Sequence, residues 1–496
     1  MLRLLCLLLL YTAHVYSAVA QEKPYLPYYS NDTARAYKLA VLHRSAVKAH
    51  LTVPKSGPKE YREHYQKVVQ EAAEDVFNSI RYSALLDSEL EPYVQQVFNR
   101  IVQANSQLPI SAKLILTRNP EPNAHAVGNG TVMLNVGLLP RLENEDQLAF
   151  ILCHELAHVA CRHMESSMQE QLTTLHSQEV KREFRRIINS EYNISSKIKA
   201  LALGFSLNNN YHSRRHEKQA DSLGYVLLTH TGYDATQAYR ALQLLDTIDE
   251  PETTAPLALS AYFGCTAFPK LFEAAPTKPQ SIFTVKASEK TVLQTTDTLK
   301  SHPDCAKRMR FMSILAQGRV AEGPQPVSSP VFARIRQISR LEVVQSWFDY
   351  DCYDHALFEA LQLLPQQPQN TYLRSVVVLS LYALRQHLQY HTYTEVVSNR
   401  SEQNPASFNR LLLSLYNLRL EDFRGISACF AEKTSLDATV PADEYDLAAR
   451  YAARALTTET TAAAALKVQY QKQYAGGKFD KLLFSAQPPK TAAAHR

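Results

Sequence analysis

Two histidines separated by three residues, with a glutamate directly after the first, constrain this chain more than any other feature. On a helix, residues i and i+4 lie on one face, so the imidazoles of His154 and His158 can reach a single Zn²⁺ ion at about 2.0–2.1 Å. Glu155 lies off that face and can act as general base on a water beside the metal, then carry the proton to a leaving amine. The segment therefore predicts a zinc site on a helix, with the groups that peptide hydrolysis requires.

The neighbouring residues predict that this helix is buried. Asn144 suits the N-cap position, and two acidic residues followed by Gln147 form a typical first turn. Apolar residues then recur at helical spacing, namely Leu148, Ile151, Leu152, Leu156 and Val159. This pattern favours a core helix that holds both histidines rigidly over a surface helix with incidental histidines.

A second segment offers a third metal ligand. Glu217 and Asp221 are again four residues apart, so Glu217 can bind the metal while Asp221 accepts the free N–H of a ligating histidine. An exposed charged helix explains these two residues equally well when they are taken alone. The apolar residues that follow favour a buried helix ending at Gly232, and they are Leu223, Val226, Leu227 and Leu228.

With these segments in place, the chain resembles the gluzincin metallopeptidases, which include the CAAX prenyl proteases, the mitochondrial Oma-type proteases and the periplasmic BepA-like proteins. The resemblance covers about residues 60–315 and rests on four blocks in the same order, at residues 123–139, 154–158, 213–221 and 302–308. It is strongest to the BepA-like members, which carry a C-terminal tetratricopeptide-like domain.

The first block resembles the substrate-binding edge strand of that family. The resemblance implies that Asn123 and Ala124 lie against the substrate. His125 stands where the family usually has an aromatic residue, so the neighbouring specificity pocket is expected to differ.

The other three blocks imply a complete catalytic set. Its members are the metal ligands His154, His158 and Glu217, the general base Glu155 and the outer carboxylate Asp221. In relatives, a histidine and an arginine that match His302 and Arg308 lie over the metal. His302 either fills the open coordination position and keeps the enzyme latent, or joins Arg308 in stabilising the tetrahedral oxyanion. The sequence leaves both roles open.

The expected fold class is α+β and mainly α. It consists of a zincin-type metalloprotease domain, with a small sheet and an active-site helix, followed by an all-α helical-repeat domain. Helical periodicity runs through residues 55–105, and alternating patterns predict strands at residues 112–117 and 131–136. Weak similarity to tetratricopeptide units after residue 331 predicts a concave surface that holds extended polypeptide.

Changes in composition divide the chain into five parts. They are a signal peptide (1–20), the metalloprotease domain (21–320, with a loop-rich insertion at 250–300 that can act as a lid), a linker (321–330), the helical-repeat domain (331–485) and a disordered tail (486–496). The apolar run of the signal peptide is far shorter than the ~20 residues of a membrane span, and no later apolar run reaches that length, so no transmembrane segment is expected in the mature chain.

Six of the seven cysteines follow the predicted cleavage site. An exported protein can oxidise them, and Cys265 with Cys305 is the predicted pair because both flank the insertion. Cys153 and Cys161 are expected to pack in the core rather than to bind metal.

These features predict an envelope zinc endopeptidase with one Zn²⁺ per chain that degrades misfolded or stalled exported proteins. The helical repeat would recruit these polypeptides or an outer-membrane assembly machine, in the periplasm or at the periphery of the outer membrane. The alternative is a chaperone-like assembly factor with a latent protease site, but the complete set of ligands and base favours the enzyme. A net charge of +5 without a dense basic cluster gives no reason to expect nucleic acid.

Overall fold

The computed structural model of the 496-residue chain describes residues 25–27, 33–86, 89–108, 111–127, 129–188, 214–247, 254–257, 259–265, 305–318, 328–436, 443–456 and 460–485. These ranges are mainly helical and contain one small sheet, so the predicted fold class is confirmed.

The described residues of the N-terminal part form three helices and a three-stranded sheet. The elements are α1 (Thr33–His50), α2 (Lys59–Ser83), α3 (Leu90–Ala104), β1 (Lys113–Thr117), β2 (Ala124–Val127) and β3 (Thr131–Asn135). The strand order is β1-β3-β2, with β1 parallel and β2 antiparallel to β3. Both predicted strands are present, and β2 lies at an edge of the described sheet.

Helices follow the sheet through the middle of the chain. They are a 3₁₀ turn (Val136–Arg141), α4 (Glu145–Ala160), α5 (His163–Leu175), α6 (Gln178–Ile188), α7 (214–229), α8 (Gln237–Thr247), α9 (Leu259–Phe263) and α10 (Cys305–Leu315). After Ala160 the chain continues as two helices, α5 and α6. The chain breaks from α4 at Arg162, which has the left-handed φ of 53°.

The described C-terminal part is entirely helical. It contains α11 (Pro330–Asp349), α12 (Tyr353–Leu363), α13 (Thr371–Gln389), a 3₁₀ turn (Tyr393–Glu395), α14 (Ala406–Tyr416), α15 (Leu420–Lys433), α16 (Glu444–Leu456), α17 (Thr460–Gln473) and α18 (Asp480–Phe484). Consecutive helices pack on each other at α11–α12, α12–α13, α15–α16 and α16–α17. The assignment of these helices to tetratricopeptide-like units stays a prediction.

Helix α4 begins and packs as its sequence predicts. Asn144 Oδ1 accepts a hydrogen bond from the backbone N–H of Gln147 at 3.0 Å. The Gln147 side chain accepts from the backbone N–H of Glu143 at 2.9 Å, one residue before the N-cap. All five of the apolar residues expected in the core are buried.

Helix α7 is buried on one side only. Leu227 and Leu228 lie in the core, but Val226 is 43% exposed, so the expectation that Val226 packs inside was wrong. Its position turns it away from the face that meets α4. Gly232 follows the helix with a φ of 75°, which supports the predicted termination signal.

Helix α11 belongs to two hydrophobic cores. The core around α3, α4 and the sheet takes Phe332, Ile335 and Ile338, and the C-terminal core takes Leu341, Val344 and Phe348. The predicted domain boundary at residue 331 thus falls at the beginning of a helix that both cores share.

The disulfide joins Cys265 to Cys429, so the predicted Cys265–Cys305 pair was wrong. The reason is that α9, just before Cys265, packs against the C-terminal helices: Leu259 and Phe263 are buried in that core. Lys433 Nζ donates to the carbonyl oxygen of Ala261 at 2.9 Å. Contacts with α15 therefore bring Cys265 to Cys429.

The two cysteines in and directly after helix α4 differ in their exposure to solvent. Cys153 is buried, as expected. Cys161 is exposed, contrary to the expectation of core packing, because it lies beyond the last residue of α4, where the chain turns outward.

Several predicted features lie outside the described residues. They are the signal peptide, His302, most of the insertion (266–300), most of the linker (321–327) and the C-terminal tail. Among the residues that the structure describes, no helix combines the length and the apolar character that a bilayer crossing requires.

Candidate metal centre

Helices α4 and α7 bring three ligand side chains together. The Nε2 atoms of His154 and His158 lie 3.0 Å apart. Glu217 faces both rings, with Oε2 3.5 Å from His154 Nε2 and Oε1 3.3 Å from His158 Nε2. Within the described ranges, these residues form the one group of three or more His, Cys, Asp or Glu side chains whose ligand atoms lie close enough to share a metal ion.

The spacing of these atoms suits a tetrahedral ion. Ligand atoms that share a zinc ion at about 2.0–2.1 Å lie about 3.3–3.4 Å from one another. The observed separations run from 3.0 to 3.5 Å. Two imidazoles and a carboxylate also form a ligand set that catalytic zinc sites use, with a fourth position left for water or substrate. The residues therefore fit a zinc ion.

Gly224 allows the two ligand helices to approach closely. A Cβ atom at this position would lie 3.0 Å from both Cα and N of His154. These are backbone atoms of α4, which cannot rotate away as a side chain could. The absence of a side chain at Gly224 therefore sets the distance at which Glu217 reaches the histidines.

Asp221 and Arg308 form the layer behind two of the ligands. Asp221 Oδ1 lies 3.1 Å from His154 Nδ1. Arg308 donates two hydrogen bonds of 2.7 Å to the carboxylate of Asp221, and its Nη1 lies 2.8 Å from Glu217 Oε2. All four of these side chains are buried. Arg308 thus lies behind the ligands, where it contacts both acids, and its predicted role at the oxyanion stays a prediction.

The charges in this layer shift the pKa values of the buried groups. Burial acts to raise the pKa of Asp221, but the Arg308 guanidinium and His154 outweigh it and hold that pKa below its usual range. Burial acts to lower the pKa of His154, whereas Asp221 and Glu217 raise it to about 10 in the metal-free protein. The site is thus built to favour positive charge beside its carboxylates, which a divalent cation would supply.

A cleft of about 280 Å³ runs between the metal ligands and the edge strand β2. It is lined by Glu155 and His158 on one side and by Asn123, Ala124 and His125 on the other. Glu155 is 3% exposed, so only a group that enters the cleft can reach it. The residues predicted to bind substrate and the predicted base therefore face the same space.

Three residues that sequence reasoning missed extend the centre. His163 Nδ1 lies 2.9 Å from His158 Nδ1, and His163 Nε2 lies 3.1 Å from Gln219 Oε1. The ring of His216 stacks on that of His163 at 4.2 Å. Burial, with His158 and His216 nearby, lowers the pKa of His163 to about 4. His163 follows His158 by five residues, and this third histidine was the signal in the sequence that could have identified these additional residues.

Comparison with known proteins agrees with this geometry. Residues 88–315 match the profile of Peptidase family M48, and this stretch includes every residue of the centre described above. The chain carries a peptidase family M48 domain. This match agrees with the predicted class of enzyme, a metallopeptidase.

Relatives of the M48 domain include proteases of mitochondria and bacteria. The chain is 25% identical to the mitochondrial metalloendopeptidase OMA1 of Schizosaccharomyces pombe over 37% of this chain and 50% of that protein. It is 29% identical to a putative beta-barrel assembly-enhancing protease of Vibrio cholerae over 30% of this chain and 31% of that protein. The beta-barrel assembly-enhancing protease of Escherichia coli is 33% identical over 17% of this chain and 18% of that protein.

These matches confirm the predicted resemblance to Oma-type and BepA-like metallopeptidases. The chain spans half of the yeast relative and less than a third of the bacterial relatives.

Proposed function

We propose that this protein is a zinc-dependent endopeptidase with one Zn²⁺ per chain, held by His154, His158 and Glu217. The observation that carries the proposal is the convergence of these three side chains beside a cleft that contains both a buried glutamate and an edge strand. An ordinary ion-pair cluster needs neither the cleft nor the strand.

In this proposal the edge strand holds the substrate. β2 pairs with β3 on one side, and its other side faces the cleft that Asn123 and Ala124 line. An extended peptide can add to such an edge through main-chain hydrogen bonds, which serve any sequence. His125 lies on the exposed face of β2, so this residue is proposed to select among substrate side chains.

Glu155 is the proposed general base. A bound zinc ion would supply Lewis-acid polarisation of the scissile carbonyl and an acidified water. Glu155 accepts the proton of that water and transfers it to the leaving amine. Asp221 orients the His154 ring, and Arg308 keeps the carboxylates of Asp221 and Glu217 together. His302 stays proposed as a latency ligand or an oxyanion donor.

The proposed substrates are unfolded or misassembled proteins of the cell envelope. The Cys265–Cys429 disulfide supports an oxidising compartment, because such bonds persist outside the cytosol. The names of the bacterial relatives refer to beta-barrel assembly, which supports an outer-membrane assembly machine as partner. The C-terminal helices are proposed to recruit either the substrate or that machine.

The substitution Glu155→Gln tests the proposed chemistry. The variant should keep about one zinc per chain and lose about 10²–10⁴-fold in the degradation of unfolded casein, because general acid–base catalysis contributes a factor of that size. Metal analysis and a fluorogenic casein assay measure both quantities. His154→Ala should lose zinc as well as activity, and Glu63→Gln, at an exposed glutamate of α2, is the matched control.

Full activity of zinc-loaded Glu155→Gln would remove Glu155 from the reaction. A zinc-loaded parent that suppresses aggregation without cutting would instead favour the chaperone-like function.

A further inference from the structure

We propose that His163 and Gln219 form a neutral hydrogen-bond relay that fixes the tautomer and orientation of the metal ligand His158. The inference rests on the proposed zinc site, and it adds two positioning residues that no motif of the sequence assigns. His163 begins α5, and Gln219 lies on α7 two residues after the ligand Glu217. The relay therefore connects the ligand His158 to α7, the helix that carries the ligand Glu217.

The contacts run in an unbroken line. His158 presents Nε2 to His154 and Glu217, and its other ring nitrogen, Nδ1, lies 2.9 Å from His163 Nδ1. The far nitrogen of His163, Nε2, lies 3.1 Å from Gln219 Oε1. Both separations are ordinary hydrogen-bond distances.

Only one arrangement of protons lets His158 bind a metal through Nε2. That nitrogen must be bare, so the neutral ring carries its proton on Nδ1 and donates it to His163 Nδ1. His163 then carries its own proton on Nε2, where the Gln219 carbonyl oxygen accepts it. Because an amide oxygen accepts and never donates, Gln219 sets the direction of the whole relay. If the Gln219 amide were reversed, its N–H group would donate to His163 Nε2, and His163 would donate from Nδ1 to His158. The proton of His158 would then lie on Nε2, the nitrogen that faces the metal.

The surroundings hold His163 in this position. Arg162 adopts the left-handed backbone conformation that residues other than glycine rarely use, and this turn brings His163 back against His158. The His216 ring stacks on His163 at 4.2 Å with an interplanar angle of 14°. The His216 nitrogens lie 3.3 Å from Ser166 Oγ and 3.2 Å from Ser167 Oγ.

The two histidine ligands thus have partners of different charge. His154 faces Asp221, which is paired with Arg308, whereas His158 faces an imidazole and an amide. A carboxylate raises the basicity of its ligand more than a neutral acceptor does. The relay therefore orients His158 without adding a further negative charge to a centre that already holds three carboxylates, those of Glu155, Glu217 and Asp221.

Three variants of the full-length protein test the relay through zinc affinity, measured by competition with a chelator. His163→Phe keeps a ring that can stack on His216 but has no acceptor, and it should weaken zinc binding about 10–100-fold. Gln219→Met should weaken it in the same direction. His163→Asn places an amide oxygen near the position of Nδ1 and should bind zinc within about threefold of the parent. His176→Phe, at a histidine that contacts His64 at 3.1 Å, is the matched control.

Two further measurements separate positioning from a merely structural role. The metal-free His163→Phe protein should unfold at the temperature of the metal-free parent. In the Co²⁺-loaded parent, proton NMR should show two shifted, exchangeable N–H signals, one for each histidine ligand. In His163→Phe one of them should exchange faster with water.

Equal zinc affinity of His163→Phe and the parent would overturn the relay alone. So would a His163→Asn protein as weak as His163→Phe, or a large loss of stability in the metal-free variants. A parent that binds neither Zn²⁺ nor Co²⁺ would overturn the proposed function as well.

Discussion

Arg308 lies between two buried carboxylates that would otherwise repel each other. Asp221 and Glu217 are 0% and 6% exposed, and the guanidinium contacts both. Its planar fork matches the Asp221 carboxylate with two parallel hydrogen bonds, which a lysine ammonium cannot reproduce. A bound cation and Arg308 therefore share the task of compensating the same negative charge.

Replacing Arg308 with Met should destabilise the metal-free protein by about 3–5 kcal/mol, because the change leaves buried carboxylates without their partner. Zinc should restore part of that loss, since the ion supplies positive charge to Glu217. Denaturant unfolding with and without zinc measures both effects. If the Arg308→Met protein instead keeps its stability and its zinc but cleaves slowly, that result would support a direct role of Arg308 at the oxyanion.

At the scale of elements, the packing of α7 on α4 depends on Gly224. Substitution with Ala gains about 0.5–1 kcal/mol of helix propensity. It also forces a methyl group to 3.0 Å from the His154 backbone, and such overpacking costs about 1–3 kcal/mol. The steric cost therefore exceeds the gain in helix propensity, and it acts where the ligand helices meet.

We therefore expect Gly224→Ala to lower zinc affinity at least tenfold, because Glu217 moves away from the histidines. Isothermal titration of the metal-free protein with zinc measures the change. Gly425→Ala makes the same substitution within α15 and should leave zinc binding unaffected. Parent-like affinity in Gly224→Ala would mean that the helices adjust without moving the ligand.

At the scale of the whole molecule, the disulfide and α11 hold the M48 domain to the C-terminal helices. The Cys265–Cys429 bond closes a loop with a sequence separation of 164 residues. In the chain-entropy description, a loop of this length stabilises the folded state by about 5 kcal/mol, although disulfides typically contribute 2–4 kcal/mol.

The double variant Cys265→Ser/Cys429→Ser should lose about 2–5 kcal/mol of unfolding free energy and still bind zinc, because neither cysteine belongs to the centre. Thermal unfolding without reductant compares it with the parent, and Cys161→Ser, at an exposed free cysteine, is the control. A reductant should lower the melting temperature of the parent and not that of the double variant. An unchanged melting temperature would show that α9 remains docked without the covalent bond.

Helix α11, which both cores share, predicts where the chain can be truncated without loss of the folded M48 domain. Phe332, Ile335 and Ile338 are buried in the core of the M48 domain, and burial of such side chains contributes about 1.5–3 kcal/mol each. A protein of residues 1–330 loses all three, a sum comparable with the 5–15 kcal/mol that stabilises a typical domain. It should not fold, whereas residues 1–350 should bind zinc and cut short peptides while degrading unfolded proteins poorly. Circular dichroism and zinc analysis of both truncations check this, and a folded, zinc-loaded 1–330 protein would contradict it.

The sequence by itself determined the features that depend on neighbours along the chain. The spacing of His154 and His158, the Asn144 cap and the apolar stripe of α4 all follow from the helical period, so they were predictable without any partner. Glu217 and Asp221 were recognisable by the same spacing, and the apolar residues after them favoured a buried metal-binding helix before the resemblance to a family implied the same roles.

Tertiary structure decided the features that depend on which faces pack together. Arg308 reaches Asp221 across 87 residues, His163 turns onto His158 through a left-handed residue, and Cys265 meets Cys429 through the docking of α9. Local periodicity carries no information about such pairings, because each depends on how closely two elements approach. The side chains between the elements set that distance, as the lack of a side chain at Gly224 does for α7 and α4. The sequence thus specified the ligands, and the packing of helices specified what surrounds them.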